Sequence, residues 1–241
     1  LKKNPRVKFL NISENFLTPA CFHTLRDVFL RANRIKTLKF YLASSDRLFN
    51  EMFLEMQRFY EDIIRKGASL ALKTLIVSKG NAMDFKAQIQ TESTVLYIGE
   101  GRQLADIVFH VERSKLFIEN IKSVVIRGRM GESKEFALYM NDFLKECCNL
   151  ETLMILKTNL GGVMRNSKNV NMLRDLKSTK LRHVNLTQCD LKNALLERIV
   201  LALRPLKTIE RLIVAENYEL DLPSLASQFK AKKVKVVFEE D

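Results

Sequence analysis

Apolar and polar positions follow a short pattern that recurs along the chain. Within eleven residues, apolar side chains occupy positions 1, 4, 6 and 11, and Asn or Cys occupies position 9. Residues 7–17 (VKFLNISENFL) and 181–191 (LRHVNLTQCDL) match this pattern in full. Because alternating apolar residues are typical of a strand with one buried face, each match predicts a short strand followed by a turn.

Looser copies of the pattern divide the chain into units. The units begin near residues 7, 35, 72, 121, 150, 181 and 209, at intervals of 28, 37, 49, 29, 31 and 28 residues, and a last strand is predicted near residue 234. Asn15, Cys189 and Asn217 hold position 9, where a side chain can bond to backbone groups of the turn. The units at 35, 72 and 121 have Ala, Gly and Arg there, so the middle of the chain is irregular.

The segments between the strands are predicted to be helices. Thr18-Pro19 marks the start of the first helix, and Asp46 can cap the second. Further helices are predicted after Ser133 and Asn193, and Gly161-Gly162 is interpreted as a turn. The second helix has an apolar stripe that we interpret as core in preference to a ligand pocket: Phe49, Met52, Phe53, Met56, Phe59 and Ile63.

The unit that begins at residue 72 carries an irregular insertion at about residues 82–120. Residues 94–98 (TVLYI) are apolar enough to form an additional strand, which we favour. The alternative is a long loop that folds over the binding surface.

The pattern and the unit length resemble the leucine-rich repeats of the long, ribonuclease-inhibitor-like class. The resemblance implies an α/β solenoid, or horseshoe, with parallel strands on the concave face and helices on the convex face. It implies a single leucine-rich repeat domain over residues 1–241 that binds a partner. Intracellular families with repeats of this length include scaffold proteins, GTPase-activating proteins, substrate receptors of ubiquitin ligases and immune sensors. The expected role is that of a scaffold, adaptor or receptor part of a larger protein.

Composition places the chain among globular proteins. It has 241 residues, of which 46% are hydrophobic and 28% charged, and its formal net charge is +12, spread along the whole length. No apolar run reaches the roughly 18 residues of a membrane span, so no membrane association is expected. The chain begins at Leu1 without a visible leader, and we expect a fragment of a longer intracellular protein, cytoplasmic or nuclear.

Motifs that would indicate an enzyme, a cofactor or a metal are not found. Cys21, Cys147, Cys148 and Cys189 form no CxxC pair, and the three histidines are far apart in sequence. No glycine-rich phosphate loop and no nucleophile with its base is visible. We therefore expect no enzymatic activity, no cofactor and no metal.

The outward positions of the strands predict a partner-binding surface with an apolar centre. Such a patch, rimmed by polar groups, is typical of a protein contact. The candidate contact residues are Lys39, Tyr41, Ile76, Val125, Arg127, Met154, Leu156, Asn185 and Ile213.

Basic residues at position 2 of several units predict a rim of positive charge beside this surface, which Glu151 and Glu210 interrupt. The rim residues are Lys8, Lys36, Lys73, Lys122 and Arg182. Such a rim would attract an acidic partner, and a solvated rim without a partner is the alternative. The sequence thus favours a non-enzymatic protein-interaction module. A nucleic-acid-associated module of the RNA export or processing type is the other hypothesis, although only Tyr41 could stack on a base.

Overall fold

In the computed structural model the chain forms two compact units, which we describe separately. Unit 1 comprises Leu1–Tyr97 and Glu112–Phe117, and unit 2 comprises Ile98–Val111 and Ile118–Asp241. A single domain over 1–241 stays a prediction. The structure describes residues 6–12, 15, 17–31, 37–41, 51, 54–55, 58–59, 61–62, 65, 74–78, 95–98, 118–119, 121–127, 134–165, 173, 176, 178–217, 220, 227 and 235–237.

The described residues of unit 1 include four parallel strands in chain order. They are β1 (Phe9–Asn11), β2 (Thr37–Tyr41), β3 (Thr74–Ser78) and β4 (Val95–Ile98). Each strand pairs with the next in parallel register. Strand β4 is the additional strand that residues 94–98 predict, whereas the rest of the insertion, apart from residues 118–119, lies outside the described residues.

The helices of unit 1 are held by an aromatic cluster. Helix α1 (Pro19–Arg31) begins at the predicted proline, and the described residues between 51 and 65 are also helical. The ring of Phe59 lies 6.1 Å from Phe22 and 5.6 Å from Phe29, in an edge-to-face arrangement with the latter. Phe59 is buried, so its assignment to the core is confirmed, while the other members of its predicted stripe lie outside the described residues.

The described part of unit 2 contains five parallel strands and three helices whose bounds are described. The strands are β5 (Ser123–Arg127), β6 (Thr152–Leu156), β7 (His183–Asn185), β8 (Arg211–Ile213) and β9 (Lys235–Val237). The helices are α2 (Lys134–Glu146), α3 (Leu160–Arg165) and α4 (Asn193–Leu203), and they alternate with strands β5 to β8. The predicted α/β architecture with parallel strands is confirmed. In each unit from 7 to 209 the strand starts two residues after the predicted unit start.

The core of unit 2 follows the predicted alternation, because the same three positions of each repeat are buried. Position 1 contributes Ile121, Leu150, Leu181 and Ile209. Position 4 contributes Val124, Leu153, Val184 and Leu212, and position 6 contributes Ile126, Ile155, Leu186 and Val214. Helix α4 adds Leu195, Leu196, Ile199, Val200 and Leu203. Full burial of one such side chain stabilises the fold by roughly 1.5–3 kcal/mol.

The interpretation of Gly161-Gly162 as a turn is wrong, since both residues lie in the first turn of α3. A Cβ on Gly161 would sit 1.7 Å from the carbonyl oxygen of Asp190. The Gly161 amide also donates to the Cys189 carbonyl at 2.9 Å. Glycine therefore allows the start of α3 to lie directly against the turn of the next repeat.

Helix α4 begins at Asn193 itself, whereas the sequence predicted a helix after this residue. Asn193 is its first helical residue, and Lys192, in an extended conformation, holds the N-cap position and makes no side-chain cap hydrogen bond.

Candidate functional site

Alternate residues lie on opposite faces of strands β6, β7 and β8. Leu153, Val184 and Leu212 are opposite one another in the ladder and are almost fully buried. The residues on either side of them point the other way, because successive side chains of a strand alternate between its faces. This second face is the candidate site.

Four side chains reach solvent on this second face. Met154 and Ile213 are half-exposed, whereas His183 and Arg211 are exposed. His183 is opposite Arg211, and Asn185 lies between Met154 and Ile213 in the ladder. We call these four residues, Met154, His183, Arg211 and Ile213, the β6–β8 face. It combines apolar area with positive charge.

Asn185 contributes little to a binding surface, which corrects its assignment as a contact residue. It is only 6% exposed. Its Oδ1 accepts hydrogen bonds from the Thr187 amide at 3.0 Å and the Thr187 hydroxyl at 2.6 Å. The side chain therefore bends toward the end of its own strand and helps to order the following turn.

Two other predicted contact residues are also corrected. Val125 is 1% exposed and Leu156 is 9% exposed, so both are core residues. Ser123, Val124 and Ile126 are buried as well, which means that β5 is covered on both faces from Ser123 to Ile126. The described side chains of β5 therefore offer no contact surface.

For the remaining predicted contact residues, the structure describes the backbone but not the side chains. They lie on β2, β3 and β5 and are Lys39, Tyr41, Ile76 and Arg127. Met154 and Ile213 are thus the apolar members of the prediction that the structure places at a partly exposed face.

The predicted basic rim is neutralised within unit 2. Lys122 Nζ lies 3.2 Å from Glu151 Oε1, and Arg182 Nη1 lies 3.6 Å from Glu210 Oε1. Position 2 therefore alternates in sign from one repeat to the next. Exposed pairs of this kind contribute about 0–1 kcal/mol to stability, but they cancel the local positive potential. Lys8 is exposed, and Lys36 and Lys73 lie outside the described residues.

Arg211 is the cation of the β6–β8 face that remains available. His183 Nε2 lies 3.9 Å from Glu210 Oε2, so that histidine is next to a carboxylate. Arg211 has no ion-pair partner among the described residues, and Lys235 of β9 is opposite it in the ladder. An acidic group on a partner would find its counter-charge there.

The side chains at position 9 tie neighbouring repeats together. The predicted bonding to turn backbone is confirmed at Asn15, whose Nδ2 donates to the Ile12 carbonyl at 3.0 Å. Cys189 Sγ donates to the Ile155 carbonyl at 2.9 Å, and the Thr158 hydroxyl donates to Cys189 Sγ at 3.6 Å. Asn217 Oδ1 accepts the amide of Cys189 at 2.9 Å. Within unit 2, the contacts of Cys189 and Asn217 order the turns that follow the strands of the β6–β8 face.

A second series of hydrogen bonds joins the strand starts, and sequence reasoning missed it. The Asn149 side chain donates to the Glu119 carbonyl at 2.6 Å, Ser178 to Leu150 at 2.7 Å, and Thr208 to Leu181 at 2.7 Å. The sequence held one signal for these hydrogen bonds. A polar residue, such as Asn149 or Thr208, comes directly before the apolar residue at position 1 of its repeat. Each bond anchors one strand to the preceding repeat.

Unit 1 also contains a cleft among its described residues, with a volume of about 250 Å³. It lies between α1 and the described helical residues among 51–65, and Phe22 and Phe59 form part of its wall. Its charged groups pair with one another: Arg26 with Asp62 at 3.1 Å, Arg65 with Glu61 at 3.6 Å, and Arg58 with Glu55. Because the charges are matched, the cleft offers no excess charge to a ligand.

The cysteines differ in thiol chemistry. Burial raises the pKa of Cys189 to about 12 and raises the pKa of Cys147 above its ordinary range. A hydrogen bond from Thr18 lowers the pKa of Cys21, which is only half-buried. No group of three or more His, Cys, Asp or Glu that could hold a metal occurs among the described residues.

Comparisons with protein-family models and with curated proteins assign neither a family nor a function to the chain. No protein-family model matches the chain, and no curated protein is significantly similar to it in sequence. None of the described helices is long and apolar enough to cross a bilayer.

Proposed function

We propose that the chain is a leucine-rich repeat solenoid, with parallel strands lining a concave face and helices on the convex side. The repeated turn supports this. Lys157, Gln188 and Glu216 occupy position 8 of successive repeats, and all three have φ between 53° and 54°. Repetition of a backbone conformation that non-glycine residues rarely adopt favours one structural unit used several times. A crystal structure without a curved parallel sheet would contradict this proposal.

We further propose that the protein is a non-enzymatic interaction module that binds a protein partner through the β6–β8 face. The observation that carries this proposal is the placement of half-exposed Met154 and Ile213 on the same face as exposed Arg211, which has no ion-pair partner within the described part of the chain. Partly exposed apolar groups next to an arginine are typical of the centre of a protein interface. The partner would present an apolar side chain and a carboxylate. Four free thiols, two of them buried, fit an intracellular protein.

Site-specific photo-crosslinking in cells tests this proposal. A photoreactive amino acid at position 154 or 213 should capture the same protein, whereas one at position 201 should not. Leu201 is a matched control because it is exposed to 57% but lies on helix α4. Equal capture from position 201, or no capture from 154 and 213, would contradict a partner site on the β6–β8 face.

A charge reversal then tests the acidic character of the captured partner. Arg211→Glu should weaken its binding about tenfold, because close interfacial charge pairs contribute on the order of 1.5 kcal/mol or more. Arg204→Glu is the control, since Arg204 is an exposed arginine in the turn after α4. If both variants bind equally well, the partner does not use Arg211.

The net charge of +12 favours a second candidate, a nucleic-acid-associated module. The ion pairs of Lys122 and Arg182 weaken this candidate, because they leave less free positive charge on unit 2. We expect binding to labelled single-stranded RNA to be weak and to disappear as salt is raised from low to physiological. Binding of about micromolar affinity that persists at physiological salt would place this function first.

A further inference from the structure

Met154 is the methionine that solvent reaches, among those whose side chains the structure describes. It lies at the middle of strand β6, on the β6–β8 face, and is half-exposed. Met140 and Met164, the other two with described side chains, are 0% and 2% exposed. Because a hydroperoxide must reach the sulfur to oxidise it, Met154 is the most accessible of these three methionines to such an oxidant.

The neighbour of Met154 in the ladder, Asn185 on β7, carries a hydrogen-bond donor without a partner. Its Oδ1 accepts bonds from the amide and the hydroxyl of Thr187. Because a backbone amide can only donate, the first bond fixes which end of the Asn185 carboxamide is oxygen. The Nδ2 at the other end has no hydrogen-bond partner among the described residues, and solvent reaches it. A fixed donor therefore lies on the strand next to Met154, about 4.8 Å away between strands.

Oxidation of Met154 would create an acceptor beside this donor. The lone pair of Met154 Sδ attacks one oxygen of a hydroperoxide, an S–O bond forms and the O–O bond breaks. In the case of hydrogen peroxide, the hydrogen of the transferred oxygen passes to the leaving hydroxide, which departs as water. The sulfur is oxidised by two electrons and the peroxide is reduced. The product, methionine sulfoxide, is polar, and its oxygen accepts hydrogen bonds.

We propose that Met154 is a reversible oxidation site that converts the β6–β8 face from apolar to polar. The fold accommodates the sulfoxide because Asn185 Nδ2 donates to it, and partner binding is lost because Met154 is one of the two half-exposed apolar residues of that face. A methionine sulfoxide reductase reverses the step: two thiols supply two electrons and two protons, the oxygen leaves as water, and the thiols become a disulfide. The effect on binding rests on the proposed function, whereas the oxidation itself does not.

Peptide mapping by mass spectrometry after graded treatment with hydrogen peroxide tests the site. In the folded 241-residue chain, Met154 should be oxidised about tenfold faster than Met140 and Met164 or more, because a buried sulfur reacts only through local opening. In concentrated urea the three should react at similar rates, which is the control for intrinsic reactivity. Similar rates in the folded chain would overturn the proposal.

The role of Asn185 is tested with Asn185→Asp, which keeps Oδ1 for Thr187 but replaces the Nδ2 donor by an oxygen that repels the sulfoxide. Peroxide treatment should therefore lower the Tm of this variant by about 2–4 °C more than that of the parent chain. Met154→Leu retains every cysteine and the other methionines, so its response measures oxidation elsewhere and is subtracted. An equal decrease in parent and Asn185→Asp would overturn the accommodation of the sulfoxide by Asn185.

The effect on binding is measured with the protein that photo-crosslinking captures from positions 154 and 213. Oxidation should weaken its binding about tenfold, because the interface would bury a polar sulfoxide, and treatment with a methionine sulfoxide reductase and a thiol should restore it. The affinity of Met154→Leu, whatever its value before treatment, should not change with peroxide. Unchanged binding by the oxidised parent chain would overturn the switch while the capture still supports the proposed function. Failure to capture a partner would overturn the proposed function and the switch together, and peptide mapping would still decide whether Met154 is the oxidation site.

Discussion

Asn217 is the side chain whose removal should most directly test the stacking of the repeats. Its Oδ1 accepts two backbone amides of the preceding repeat, from Cys189 at 2.9 Å and Leu191 at 3.1 Å. Its Nδ2 lies 2.8–3.0 Å from three carbonyl oxygens, those of Leu186, Val214 and Ala215. One amide group thus joins two successive turns.

The cost of Asn217→Ala follows from the groups that it leaves without a partner. Two part-buried N–H groups lose their acceptor, and each unsatisfied group costs about 1–3 kcal/mol. The carbonyl oxygens keep some access to other donors, so we assign them less. Partial hydration at this half-buried site lowers the total, and we expect about 2–4 kcal/mol. For a chain of this size that corresponds to a decrease of roughly 4–16 °C in Tm.

Thermal and urea denaturation followed by circular dichroism would measure the loss, and hydrogen exchange would locate it. The amides of Cys189 and Leu191 should exchange faster in the variant. Asn159→Ala is the matched control, because the buried Oδ1 of Asn159 has no hydrogen-bond partner among the described residues. Its loss should cost nothing or stabilise slightly. If Asn217→Ala is no more destabilising than Asn159→Ala, the inferred role of the amide is wrong.

Three further predictions follow from burial, backbone contact and thiol pKa. Val125→Asp should destabilise the fold by roughly 4 kcal/mol or more, because it places an unpaired charge in the core. Met154→Asp should cost about 1 kcal/mol, because Met154 is half-exposed. Equal urea midpoints for the two variants would contradict this prediction. Gly161→Ala should lower stability by about 1–3 kcal/mol despite its better helix propensity, because its Cβ meets a carbonyl oxygen, and an unchanged Tm would refute this. Iodoacetamide at neutral pH should label Cys21 in the folded protein, because its lowered pKa gives more thiolate. Cys189, with a pKa of about 12, should be labelled only after unfolding. Mass spectrometry of the labelled protein would check both expectations.

The spacing of the strands and their buried positions could be predicted from sequence for a clear physical reason. Positions 4 and 6 carry large apolar residues in each repeat, and a strand places them on one face. Leu153, Val184 and Leu212 are therefore buried as expected. The opposite face was harder to predict, because exposure there depends on what covers each strand. Val125 and Met154 are similar in sequence context, yet one is buried and the other is half-exposed.

The turns were predicted incompletely because their geometry is enforced by neighbouring repeats. A positive φ usually signals Gly or Asn, but Lys157, Gln188 and Glu216 adopt it here. The backbone supports them, since the Lys157 amide donates to the Thr187 carbonyl at 3.0 Å and the Gln188 amide to Ala215 at 3.1 Å. Contacts between repeats thus outweigh local preference. A single repeat read in isolation does not reveal such contacts.

The stacking of repeats also limits the positions at which this protein can present charge to a partner. Neighbouring parallel strands lie about 4.8 Å apart, so an unbroken row of cations at one position would repel itself. Unit 2 avoids this at position 2 by alternating Lys122, Glu151, Arg182 and Glu210. Charge for a partner must therefore come from a position without such pairing. Arg211 on β8 meets that condition within the described part of unit 2, which is why we place the acidic group of a partner there and not along position 2.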